Sequence, residues 1–314
     1  MKPSVHAISP EMFTVEAVDG QQIRGYIWRD TRVSKARSRP VVVINSATSV
    51  LCQYYSRFAE FLAANDHDVL VYDYRGIGLS RPRSLRGFEA SWLDWGCRDF
   101  EAVLQFVQKS FPDQPIFVVA HSVGGFLLGL AGSNGLVSRV VTVGAQYAYW
   151  RDYAPSAKLK MILKWHVLMP VITLLFGYFP GKRLGWLEDT PKGVVRDWVF
   201  SQRRFEDLWR GGIGARYPDK ESLVRRFTQI RAPMLAIGVD DDEFATPRAV
   251  ERLLAYFINC PTKHLRISPR ETGEAVVGHF GFFNRRFAKT LWPIALRWLT
   301  NEDVLDRKDA ESNS

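Results

Sequence analysis

Residues 116 to 126 read Ile116-Phe117-Val118-Val119-Ala120-His121-Ser122-Val123-Gly124-Gly125-Phe126. Five apolar, mostly β-branched residues run into His121 and Ser122, and a helix-forming stretch follows from Phe126 to Ala131. The pattern predicts a buried strand, a sharp turn and a helix. Strand and helix backbones approach closely at such a turn, so its neighbours must be small; here they are Ala120 and Gly124. A serine in this place is pushed out of the sheet at the head of a helix, the small-x-Ser-x-Gly arrangement of a nucleophile elbow. Alone, the stretch also fits a serine that only caps a helix.

Working outward, the strands alternate with helices. Phe13 to Asp19 and Gln21 to Arg29, divided by Asp19-Gly20, predict an antiparallel hairpin. Val41 to Asn45 and Val69 to Tyr72 are short apolar runs of the kind buried on both faces of a parallel sheet. Helical spacing covers Tyr54 to Asn65 and residues 95 to 110. After the elbow helix, Val137 to Gly144 is one more strand. The expected fold class is α/β, a mostly parallel central sheet with helices on both faces.

The alternation stops at residues 145–231. This segment shows no clear strand and holds five of the ten tryptophans. It carries 16 Lys or Arg against 8 Asp or Glu, a net of +8 in a chain of net +9. Lys158 to Pro180 is apolar but interrupted by Lys164, His166 and Pro170, so one or two helices broken at Pro170 are expected rather than a membrane span. The segment reads as a helical lid over a greasy substrate. The sheet resumes at Pro233 to Gly238. A helix capped by Thr246-Pro247 follows, then a strand at His264 to Ile267 and a last helix over about 284–299. The core is thus expected in 1–144 and 232–300, with 301–314 a disordered tail.

In an open α/β sheet, reactive groups gather beyond the carboxyl ends of strands. Three groups fall there in the order Ser122, the acids Asp240 to Glu243, and His279. With Asp73-Tyr74-Arg75-Gly76-Ile77-Gly78-Leu79-Ser80, Gly278-His279-Phe280-Gly281 and the lid's Gly177-Tyr178-Phe179-Pro180-Gly181-Lys182, the chain resembles the α/β-hydrolase superfamily. More narrowly it resembles a bacterial group related to serine aminopeptidase-like and lysophospholipase-like proteins. The resemblance implies a Ser122, Asp241, His279 triad, with Asp242 as the alternative acid, because Asp241 stands three residues after Gly238 as in the family's Gly-x-x-Asp pattern. It implies oxyanion donors at the Val123 N–H and at Ala47, with Thr48 next. Candidate substrate contacts are His121, Trp150, Trp165 and His166, although the His121 side chain is expected to point away from that of Ser122.

The resemblance and these residues together lead us to expect a serine hydrolase of the esterase or lipase kind, cleaving an ester with a hydrophobic acyl group. Acyl transfer by the same triad and a non-catalytic binding protein of this fold are the alternatives. The expected partner is a small ester or lipid-like molecule, with transient contact to a membrane surface and no nucleic acid, for which no motif is present. No His or Cys spacing suits a metal, and no cofactor is expected. Three scattered cysteines and an N-terminus without an apolar run point to a cytoplasmic protein.

Overall fold

The computed structural model describes residues 9–29, 39–208 and 219–301. The expectation for the tail at 301–314 therefore lies almost wholly outside the described residues.

Strands β1 (Glu11–Glu16) and β2 (Gln22–Trp28) form the antiparallel hairpin, with Gly20 at φ 80° in its turn. β3 (Val41–Asn45), β4 (Asp68–Asp73), β5 (Ile116–His121) and β6 (Val137–Val143) follow. Two short strands, β7 (Tyr178–Phe179) and β8 (Thr190–Pro191), pair within the inserted segment, where the sequence showed no clear strand. β9 (Met234–Val239) and β10 (Thr262–Ile267) complete the sheet. Its order is β1-β2-β4-β3-β5-β6-β9-β10, and every pairing from β4 to β10 is parallel.

Side chains alternate across this sheet, and the two faces bury separate apolar layers. Val69 and Val71 face Phe58, Leu62 and Trp292 on one side. Leu70 and Tyr72 belong to the other layer, with Val103, Val107 and Phe126. Each such side chain contributes roughly 1.5–3 kcal/mol when fully buried. The helices Ser56–Ala63 and Trp292–Leu299 cover the first face; Glu101–Ser110 and Val123–Leu130 cover the second.

One expectation changes in the segment between β6 and β9. Lys158–Phe176 is one continuous helix, not two broken at Pro170. Its middle, Ile162–Leu168, is wound as a π-helix, and Pro170 enters just where the tighter coil resumes. The wide turn loosens the local register and accommodates a residue with no N–H to donate. Further on, the helix Lys220–Phe227 packs on the elbow helix, with Leu223 and Phe227 buried in the main core. A Cβ on Gly129 would lie 2.1 Å from the Phe227 ring, so only glycine lets the two helices meet. This helix leads into β9.

The long helix has an apolar outer row. Leu159, Leu163, Val167, Leu168, Val171, Leu174 and Leu175 are exposed, Leu159 by 82% and Leu175 by 76%. By length and composition it is long and apolar enough to cross a membrane. Its inner row, Met161, Trp165, Met169 and Thr173, is buried against the protein.

Candidate active site

β5 delivers Ser122 at φ 53° and ψ −123°, a conformation that costs a non-glycine residue on the order of 1–3 kcal/mol. The turn is held by close approaches on both sides. A Cβ on Gly124 would sit 2.5 Å from the Asn45 carbonyl oxygen, and one on Gly125 would sit 2.5 Å from the Ala145 Cβ. Asn45 adds a hydrogen bond from its Nδ2 to the Gly124 carbonyl at 3.3 Å.

The short helix Gly278–Gly281 after β10 carries His279. Its Nε2 lies 2.9 Å from Ser122 Oγ and its Nδ1 lies 2.7 Å from Asp242 Oδ2. Asp242 is buried, and its other oxygen accepts the N–H groups of Phe244 and Ala245 at 2.8 and 2.9 Å. Burial pushes this carboxyl up, but the neighbouring His279 charge and hydrogen bond, with the two N–H groups, hold it below the usual carboxylate range. The acid beside His279 is thus Asp242, not Asp241. Asp241 turns the other way and accepts the N–H groups of Val277 and Gly278, both at 2.9 Å. One aspartate meets the imidazole and its neighbour ties down the loop that presents it.

His121 does not reach the cleft. It is fully buried, with its Nδ1 2.8 Å from the Tyr55 hydroxyl and its Nε2 2.9 Å from the His279 carbonyl oxygen. Burial, and then the His279 charge, pull its pKa down to about 3, so the ring is neutral near pH 7. The carbonyl can only accept, so Nε2 carries the proton and Nδ1 accepts from Tyr55. The Tyr55 oxygen in turn accepts the Ala47 N–H at 2.9 Å. One chain of hydrogen bonds therefore runs from the loop after β3 to the backbone of His279. It also engages the Ala47 N–H in this structure, whereas Val123, first in its helix, has no intrahelical acceptor for its own.

Ser122 opens into a cleft of about 210 Å³. Trp92, Trp165, Trp186, Trp198, Phe244 and Phe280 line it, together with Ala47, Thr48 and Val123. Of the aromatic contacts expected from the sequence, Trp165 lines this cleft. Trp150 and His166 do not line it. Trp150 lies under the Arg151 guanidinium, 5.2 Å from its ring centre. His166 is held by the Val199 carbonyl at 2.9 Å and the Tyr153 hydroxyl at 3.2 Å.

Other site residues went unread in the sequence. Gly144 ends β6 at φ 55°, and a Cβ there would lie 2.9 Å from Asp242 Oδ2 and 3.3 Å from the His279 ring. Gln146 places its Nε2 3.4 Å from Ser122 Oγ. Their position after a strand end beside the elbow strand was the available signal. The Asp73 to Ser80 motif acts as a brace: Asp73 accepts the N–H groups of Cys52 and Leu79 at 2.7 and 2.9 Å, fixing the loop after β3. Among the described residues no group of His, Cys, Asp and Glu is arranged to hold a metal ion.

The sequence model of the serine aminopeptidase (S33) family matches residues 36–270. The chain belongs to this family. Curated relatives in the same wider superfamily are the monoglyceride lipases of Rattus norvegicus, 27% identical over 116 residues, and Mus musculus, 28% identical over 107. The aligned stretch spans 36% of the rat protein and 33% of the mouse protein, about a third of each. Among solved structures, a soluble variant of the Saccharomyces cerevisiae monoglyceride lipase superposes with a TM-score of 0.65 at 13% identity, covering 95% of this chain and 98% of that one. A Pyrococcus furiosus esterase superposes with a TM-score of 0.58 at 14% identity, covering 96% and 94%. At such identities these structures establish the α/β-hydrolase fold of this S33 family member.

Proposed function

We propose that this chain is a serine hydrolase that cleaves a carboxylic ester through an acyl-enzyme on Ser122. The observation that carries the reading is the His279 imidazole, bonded at once to Ser122 Oγ and to Asp242 Oδ2. Serine is a poor nucleophile without a base in hydrogen-bond reach. As Oγ attacks the ester carbonyl, its proton passes to His279 Nε2, and Asp242 stabilises the imidazolium that forms. The proton then goes to the leaving alcohol. Water attacks the acyl-enzyme in the second half, again deprotonated by His279. The Val123 N–H faces the developing oxyanion, and the second donor comes from Ala47 once its N–H leaves the Tyr55 oxygen, or from Thr48.

The indole and phenyl wall of the cleft supports a hydrophobic acyl group. The segment above it acts as a lid. The apolar outer row of Lys158–Phe176, with Lys158, Lys182 and Arg183 nearby, supports contact with an anionic lipid surface.

Labelling with a fluorophosphonate probe tests the reading. Wild type is expected to label, and Ser122→Ala and His279→Ala are not. Persistent labelling of Ser122→Ala would remove Ser122 from its role. Labelling without hydrolysis across short- to long-chain p-nitrophenyl esters would point to acyl transfer.

A further inference from the structure

The long helix turns charge inward at the cleft. Lys160, Met161, Lys164 and Trp165 all line it, while Leu159 and Leu163 lie outside. A π-helical stretch, Ile162–Leu168, runs through this wall, and such wide turns often mark functional positions. The Lys164 Nζ lies 4.5 Å from the ring centres of both Trp165 and Trp186. The two rings meet edge to face, 5.8 Å apart. Indole faces attract an ammonium but leave its charge uncompensated.

Neither Lys160 nor Lys164 is paired with a carboxylate among the described residues. Among the described residues Glu243 is the one acid lining the cleft, so Lys160 and Lys164 face a single lining carboxylate. Burial first, and then the neighbouring Lys160 charge, hold the Lys164 ammonium below its ordinary pKa. An anion placed between the two lysines relieves their repulsion. In a half-enclosed site the attraction is screened less than on open surface.

We infer that Lys160 and Lys164 form a subsite for an anionic group of the substrate, a phosphate or a carboxylate, and so select esters that carry one. The inference rests on the serine-hydrolase reading of Ser122. The alternative is that Lys164 only braces two tryptophans. Such a brace would affect charged and neutral esters alike.

Two matched pairs of esters separate these outcomes in the full chain. One is octanoylglycerol against octanoylglycerol phosphate. The other is p-nitrophenyl hexanoate against mono-p-nitrophenyl adipate, whose acyl chain ends in a carboxylate. In wild type the charged member of at least one pair is expected to lead in kcat/KM by about tenfold. The pair that shows the lead tells phosphate on the alcohol side from carboxylate on the acyl side. Lys160→Gln and Lys164→Gln bring the charged-to-neutral ratio towards one, through KM, and Lys164→Arg restores part of it. No lead in either pair, or a lead that both glutamine variants leave intact, overturns the inference. Calorimetric binding of octyl phosphate and of octanol to Ser122→Ala reads the subsite without turnover. Octyl phosphate binding no tighter than octanol counts against the subsite. Absence of fluorophosphonate labelling in wild type counts against the serine-hydrolase reading alone.

Discussion

The carboxylates of Asp241 and Asp242, adjacent in the chain, serve opposite sides of the same loop. Asp242 meets the His279 imidazole, and Asp241 binds the N–H groups of Val277 and Gly278 just before it. In the proposed mechanism, replacing Asp242 by Asn removes the charge that stabilises the imidazolium and lets the wrong tautomer form. Asp242→Asn is expected to lower kcat on a p-nitrophenyl ester by roughly 10³–10⁴-fold. Asp241→Asn keeps one acceptor for the loop and is expected to cost far less, about tenfold, with faster amide exchange at residues 277–279. Steady-state kinetics on the two variants checks the order; a larger loss in Asp241→Asn would reverse the assignment.

Gly144 gives a second prediction. A methyl group at this residue would press on Asp242 Oδ2 and the His279 ring, and its φ of 55° disfavours any side chain. Gly144→Ala is expected to cost at least about 1 kcal/mol of stability through the backbone alone. It should also weaken the Asp242–His279 contact and lower kcat by about a hundredfold, because a displacement of about 1 Å is felt at this level. Urea unfolding and kinetics on one preparation separate the two effects. Unchanged kcat would show that the contact has slack.

Acid stability provides a third. His121 binds a proton in the unfolded chain near its ordinary value of about 6.5, but in the fold only near 3. Between these values the unfolded state holds more protons, so stability falls as pH falls, by up to about 1.4 kcal/mol per unit. Asp242 adds to the loss lower down, because its depressed pKa contributes stability above the carboxylate range that disappears as pH drops through it. His121→Gln can accept from Tyr55 and donate to the His279 carbonyl without titrating. Its urea midpoints between about pH 6.5 and about 4 should fall less steeply than those of wild type. His67, His166 and His264, also lowered by burial, supply a remaining slope.

The outer row of the long helix makes a fourth. Leu163, Leu174 and Leu175 are exposed by 53%, 69% and 76%. Co-sedimentation with vesicles rich in anionic lipid should fall about tenfold or more when Leu174 and Leu175 are both replaced by Gln, since each apolar side chain is worth roughly 1.5–3 kcal/mol on burial. Binding to the wild type should weaken as salt rises. Binding indifferent to both the leucines and salt would remove the lipid-surface reading.

The sheet and the elbow were legible because they rest on local rules. Val41–Asn45 and Ile116–His121 are buried on both faces and read as unbroken apolar runs. Thr246 caps its helix as its place before Pro247 predicts, accepting the Ala249 N–H. The choice between Asp241 and Asp242 was not legible, because one peptide step decides which way a carboxylate turns and a family spacing tracks that only on average. Tyr55 read as an ordinary apolar helix residue; its hydroxyl matters through His121 and Ala47, which are brought to it by the end of β5 and the loop after β3. Pro170 read as a break because propensity describes the α-helix, and the π-turn before it lies outside that rule.

β6 and β9 are hydrogen-bonded neighbours, although about ninety residues separate them. Everything between leaves the sheet from the end of one strand and comes back beside it, so no other strand pairing depends on its length. A change in the length of that segment therefore leaves the pairings that carry Ser122, Asp242 and His279 as they are. The sheet that holds the Ser122 turn is continuous across β6 and β9, whatever the chain does between them.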